Sequence, residues 1–135
     1  MSAGRFEPII PEGFNATIGP VEKRQGSKPG DQDRFRVALK PHLLNGAHMA
    51  HGGFMMSVAD IVMGYTVHEV IEGAKAPTVS LNCDFVAGAK GDETITATAT
   101  VTRRTRSLVF ISGELKAGGR TVLTATGIWK VLNAA

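Results

Sequence analysis

The stretch from Asn45 to Asp60, NGAHMAHGGFMMSVAD, concentrates the chemistry of this sequence: an amide, a His-Gly-Gly turn and a carboxylate at fixed spacing. Asp60 sits in an otherwise apolar run with no cation one turn away on either side, since position 56 is Met and position 64 is Gly. A carboxylate held in this way is suited to act as a general base or a nucleophile. Gly52 and Gly53 stand where a helix begins. Unpaired backbone N–H groups and the positive end of the helix dipole there favour an oxygen that is gaining negative charge. Because they lack side chains, a reacting group can approach their backbone closely. Cleavage of an activated carbonyl needs both parts: charge stabilisation at the oxygen and a base within about 3 Å of the attacking atom.

The neighbouring candidates are weaker. His51, before two glycines, reads as a hydrogen-bonding or substrate-contacting residue rather than the base, and Asn45 before Gly46 is also a common turn pair. His42, His48, His51 and Asp60 match no zinc spacing, so neither a metal nor a redox cofactor is expected. Cys83 is the single cysteine; in VSLNCDF it alternates with Val79, Leu81 and Phe85 onto one face, the pattern of a small buried hydrophobe rather than a nucleophile. Arg103, Arg104 and Arg106 form the only basic cluster in a chain of net charge +3. That suits a phosphate-bearing small molecule, with Arg103 and Arg106 as candidate phosphate contacts. One Tyr and one Trp, with no interleaved basic and aromatic stripe, speak against nucleic acid.

The elements that must position these groups follow from pattern. FMMSVADIVMGYTVHEVI lacks proline, is apolar nearly all round and ends at Gly73, which predicts one long buried helix over residues 53–71. On it Ser57, Asp60, Gly64 and His68 fall within an arc of about 80°, so one face is reserved for something other than core. Residues 15–24 read as a weak strand broken by Gly19 and Pro20, QGSKPGDQD as a loop, and RFRVALK as a second strand. Four more strands are predicted over 77–86, 94–103, 107–116 and 121–132, as a meander. In TITATATVT the threonines share one face, while Ile95, Ala97, Ala99 and Val101 share the other, leaving room for a helix. The class is α+β: a single domain over residues 1–135, with 1–14 as a poorly ordered N-terminal arm. No secretory signal is visible at the N-terminus, and polar residues interrupt the apolar helix, so no membrane association is expected and the cytoplasm is the default.

The run NGAHMAHGGFMMSVAD, continued by LNCDFVAGAKGD, resembles the hotdog-fold acyl-CoA thioesterases similar to the phenylacetyl-CoA thioesterase, over about residues 34–131. That resemblance implies a hotdog fold, a curved antiparallel β-sheet wrapped around one long central helix, assembled as dimers that commonly form tetramers. It implies hydrolysis of an acyl-CoA, with coenzyme A entering only as part of the substrate. Asp60 would be the base or nucleophile, the Gly52 N–H would polarise the thioester carbonyl, and Asn45 would position the water or thioester. Thr78 matches a hydroxyl position that orients the water in some relatives. GAKGD is one residue shorter than the corresponding turn in relatives with a proline there. Gly53, His51 and Ser57 are the candidate substrate contacts nearest the helix start.

Gly52 and Asp60 are eight residues apart, about 12 Å along a helix, so they cannot meet on one thioester within one chain. If both roles hold, a homodimer with antiparallel helices must share its sites. Two other functions fit less well. A non-catalytic acyl-CoA-binding module does not need the intact Asn45, Gly52 and Asp60 set. A hotdog dehydratase or hydratase would carry a His shortly after an Asp, whereas here His51 precedes Asp60.

Overall fold

The computed structural model describes residues 4–132. In chain order the elements are β1 (Phe6–Pro8), α1 (Phe14–Ile18), β2 (Glu22–Arg24), β3 (Phe35–Ala38), α2 (Gly52–Ile71), β4 (Thr78–Phe85), β5 (Thr94–Arg104), β6 (Leu108–Ala117) and β7 (Arg120–Lys130). The strands form one antiparallel sheet in the order β1, β2, β3, β5, β6, β7, β4, curved around α2. This is the hotdog arrangement.

The long helix forms where its pattern predicts. His51 caps it, Glu72 in the left-handed region ends it, and Gly73 follows at φ 88°. Ten of its residues are buried, among them Phe54, Val58, Val62, Met63 and Val67. By length and composition α2 could cross a membrane, but here it is the core helix of the sheet. It lies close because the inner face is built from small residues: Ala97, Ala99, Ala117 and Ala125 are buried, and a Cβ at Gly113 would stand 2.8 Å from the Met63 sulfur.

Three expectations need correction. The four late strands are not a simple meander. β5, β6 and β7 are, but β4 pairs with β7 and forms the far edge of the sheet. Alternation identifies a strand without naming its partner, and α2 carries the chain from β3 across to that edge. Residues 15–18, read as part of a weak strand, belong to the helix Phe14–Ile18, and only residues 22–24 of that segment pair in the sheet. The expected loose arm is instead paired over residues 6–8, where β1 lies along β2, and Ile9 is buried; residues 1–3 lie outside the described residues. Burial of Ile9 and the β1–β2 hydrogen bonds hold a segment whose composition carries no strong signal.

The 25–33 loop is fixed by its C-terminal neighbour. Arg34 is fully buried, makes two hydrogen bonds to Glu69 of α2 at 2.7 and 2.6 Å, and stacks near Phe35 and Tyr65. Its guanidinium also reaches Ser27, so one side chain joins loop, strand and helix.

Candidate active site

Asp60 lies midway along α2, half-buried, at the side facing β4. The hydroxyl of Thr78 donates to its Oδ1 at 2.8 Å, while Oδ2 accepts no hydrogen bond among the described residues. A bulge makes this contact. Thr78 pairs with Trp129 and Ser80 with Ile128, leaving Val79 as the extra residue. Trp129 faces the core, so Thr78 faces inward toward the helix, and Ser80 faces outward. The even alternation expected through Val79, Leu81, Cys83 and Phe85 therefore fails at Val79, which is 55% exposed. Leu81 and Cys83 still pack against the core.

The helix start separates the two glycines. The N–H of Gly53 donates to His51 Nδ1 at 2.8 Å, whereas the N–H of Gly52 has no partner among the described residues. His51 is thus the helix cap, and Gly52 offers the free donor. Phe85 covers Gly52 closely: a Cβ there would stand 3.3 Å from the ring. Asn45 organises the preceding loop. Its Oδ1 accepts from the N–H groups of Ala47 and Met49 at 2.8 and 3.1 Å, leaving its amide NH₂ as the group able to reach a ligand. The GAKGD turn buttresses this loop through the bridge between Met49 and Lys90 and the hydrogen bond from the Ala50 N–H to the Ala89 carbonyl.

A cleft of about 250 Å³ opens beside Asp60, lined also by Phe14, Asn15, Met56, Ser57, Ile61 and Leu81. Ser57 lines it while donating to the Gly53 carbonyl at 2.8 Å. A second cleft of about 220 Å³ lies at the helix start, where His51, Gly53, His42 and Leu43 meet Phe14 and Thr17. Of the three methionines of α2, Met56 lines the Asp60 cleft, whereas Met55 and Met63 are buried in the core. Gly64, expected on an open stripe, packs under the Trp129 indole.

Asp60, Thr78 and Ser57 therefore come together within one chain. Gly52 and Asp60 do not, because both belong to α2, two helical turns apart. Arg103 does not reach Asp60 either, and Arg106 lies beyond it in the turn between β5 and β6. Arg103 lies on the outer face, in the cross-strand row that runs through Phe110 and Ile128 to Ser80. Three strand spacings, roughly 14 Å, separate it from β4. Arg104, facing inward, donates instead to the Val70 carbonyl at the end of α2. Burial, then the charges of Asp84 and Asp60, push the Cys83 thiol above its ordinary pKa, which disfavours a thiolate. The cleft residues Phe14 and Ile61 went unnoticed in the sequence. Ile61 follows Asp60 directly and could have been found from the helical count; Phe14 carried no local signal.

A curved sheet around one helix is the hotdog class, and a carboxylate in a cleft on the helix side with a free N–H at its start is an arrangement suited to thioester hydrolysis. The chain belongs to the thioesterase superfamily, whose family model matches residues 47–124, more than half of its length. A provisionally assigned esterase of Pseudomonas aeruginosa is 29% identical over 133 residues, covering 89% of this chain and 96% of its own. The BH2602 protein of Bacillus halodurans, whose crystal structure contains CoA, is 28% identical with a TM-score of 0.69, over 73% of this chain and 70% of that one. The PaaI protein of the Escherichia coli phenylacetic acid degradation operon shares the fold, with a TM-score of 0.70 at 24% identity over 75% of this chain and 72% of that one.

Proposed function

We propose that this thioesterase is a cytoplasmic acyl-CoA hydrolase whose two sites are shared across a homodimer, with a tetramer as the larger assembly. The observation that carries this reading is Asp60: a carboxylate in a cleft, oriented by Thr78, whose Oδ2 has no hydrogen bond and which has no ion pair among the described residues. In the general-base route, Asp60 takes a proton from water as the water oxygen bonds to the thioester carbon. The carbonyl oxygen gathers charge against the Gly52 N–H of a second copy. When the tetrahedral centre collapses, the C–S bond breaks and the thiolate leaves, taking up a proton to give coenzyme A and the free acid. As a nucleophile, Asp60 would instead bond to the thioester carbon, the C–S bond would break to release the CoA thiolate, and water would then open the resulting anhydride to the free acid and the Asp60 carboxylate. The CoA bound by the Bacillus halodurans relative supports acyl-CoA as the substrate class. Arg103 and Arg106 are the proposed phosphate contacts, reached by the long nucleotide end rather than by the thioester.

The dimer is supported by the edge strand. β4 has one unpaired side, and Val79 and Phe85 on it are large apolar residues more than half exposed. Pairing two such edges antiparallel would cover them and bring two copies of α2 side by side. The free donor at Gly52 and the free Oδ2 of Asp60 are then the halves that complete one another.

The test is thiol release from a panel of aromatic, short, medium and long acyl-CoAs by the Asp60→Ala variant, with its mass in solution measured in parallel. The expected result is loss of at least about a hundredfold in kcat at unchanged assembly. Unchanged rates across the panel would remove Asp60 from the mechanism, and tight acyl-CoA binding by the unaltered chain without thiol release would favour a binding module.

A further inference from the structure

We propose that Phe14 is a specificity-determining wall of the acyl cleft, limiting how long an acyl group can lie beside Asp60; this rests on the acyl-CoA reading above. Phe14 is a large apolar side chain, 62% exposed, contributed by a five-residue helix outside the sheet. It lines both clefts, the one at Asp60 and the one at His51 and Gly53, and so stands as the partition between them. On the Asp60 side Met56, Ile61 and Leu81 are the other apolar residues of the lining. The acyl group is the apolar part of an acyl-CoA, so it is the part this lining suits.

The partition is held from behind. Ile18 at the other end of α1 is buried, the ring Nε2 of His42 lies 2.9 Å from the Thr17 carbonyl, and Lys40 donates to the Gly19 carbonyl at 2.8 Å. These ties fix α1 against the core, so Phe14 acts as a wall rather than as a loose flap. Removing its ring joins the two clefts and lets an acyl chain run on from Asp60 toward Leu43. Because the side chain is mostly exposed, its truncation takes little from the core.

The experiment compares the unaltered chain with Phe14→Ala and Phe14→Trp in two readouts. One is kcat/KM for hexanoyl-, dodecanoyl- and hexadecanoyl-CoA; the other is binding of the matching non-hydrolysable thioether analogues. Phe14→Ala is expected to raise the long-to-short preference about tenfold in both, and Phe14→Trp to lower it. A preference that stays within about twofold of the original in both variants, each with a native circular dichroism spectrum, overturns the proposal. If the unaltered chain releases no thiol, the hydrolase reading fails, while the ranking of the thioethers still decides the role of Phe14.

Discussion

The hydroxyl of Thr78 reaches Asp60 because Val79, the extra residue of the β4 bulge, turns Thr78 from the outer to the inner face of the sheet. A hydrogen bond to a charged group is worth about 1.5 to 3 kcal/mol, and here it leaves Oδ2 as the oxygen that the proposed mechanism uses. Thr78→Val is therefore expected to lower kcat by roughly tenfold to a hundredfold. KM should stay close to its original value, and Thr78→Ser should restore most of the rate. Steady-state kinetics on one good acyl-CoA checks this; a change confined to KM would mean that Thr78 contacts substrate rather than positioning Asp60. Asn45 and His51 show how one side chain can serve two ends. Each spends one polar atom on the backbone around the helix start, which leaves the Asn45 amide NH₂ and the His51 Nε2 to offer to a ligand.

Two ion pairs hold the elements that carry these residues. Arg34 is wholly buried against Glu69, which keeps some contact with water. Deleting the carboxylate strands a guanidinium in the core, so Glu69→Ala should cost about 2 to 3 kcal/mol in urea unfolding. Replacing both residues by apolar ones of similar volume should cost much less. The second pair ties the GAKGD turn to the β6–β7 hairpin through Arg120 and Glu93. Hydrogen bonds from Arg120 and from the Lys90 N–H hold Glu93 down to about 2. A depressed folded-state pKa means a contribution fully present above the ordinary carboxylate value near 4.5, lost as pH falls from there toward 2. In Glu93→Gln that contribution is absent, so the fall in Tm between these pH values should be shallower than in the unaltered chain. Equal slopes in the two proteins would show that this carboxylate does not stabilise the turn.

At the scale of the whole molecule, the proposed shared site makes a prediction that no single-chain mechanism shares. Gly52→Pro deletes the free N–H at the first helical position, where proline is well tolerated. His51 already has φ −65° and ψ 137°, the conformation a residue before proline prefers. Phe85 must yield a few tenths of an ångström. Asp60→Ala and Gly52→Pro homodimers are both expected to be nearly inactive. Mixed and refolded together, they form heterodimers in which one site regains an intact Asp60 and an intact Gly52. Activity should rise to about a quarter of the original, since half the dimers then carry one working site of two. Activity that remains at the level of the separate variants would refute a site built from two chains.

The long helix, its start at the glycines, its stop near Gly73 and the strands over 94–104 and 108–117 were legible in the sequence. Periodicity, caps and turn residues act over a few positions, so the chain records them locally. The incompatibility of Gly52 and Asp60 within one chain was legible for the same reason, since helical rise is fixed. Only the tertiary structure decided that β4 is the far edge, that a bulge delivers Thr78 to Asp60, that His51 takes the Gly53 N–H and leaves that of Gly52, and that Phe14 stands at the cleft. Strand partners, bulges and the docking of a short helix depend on contacts between residues far apart in the chain, and no local pattern encodes them.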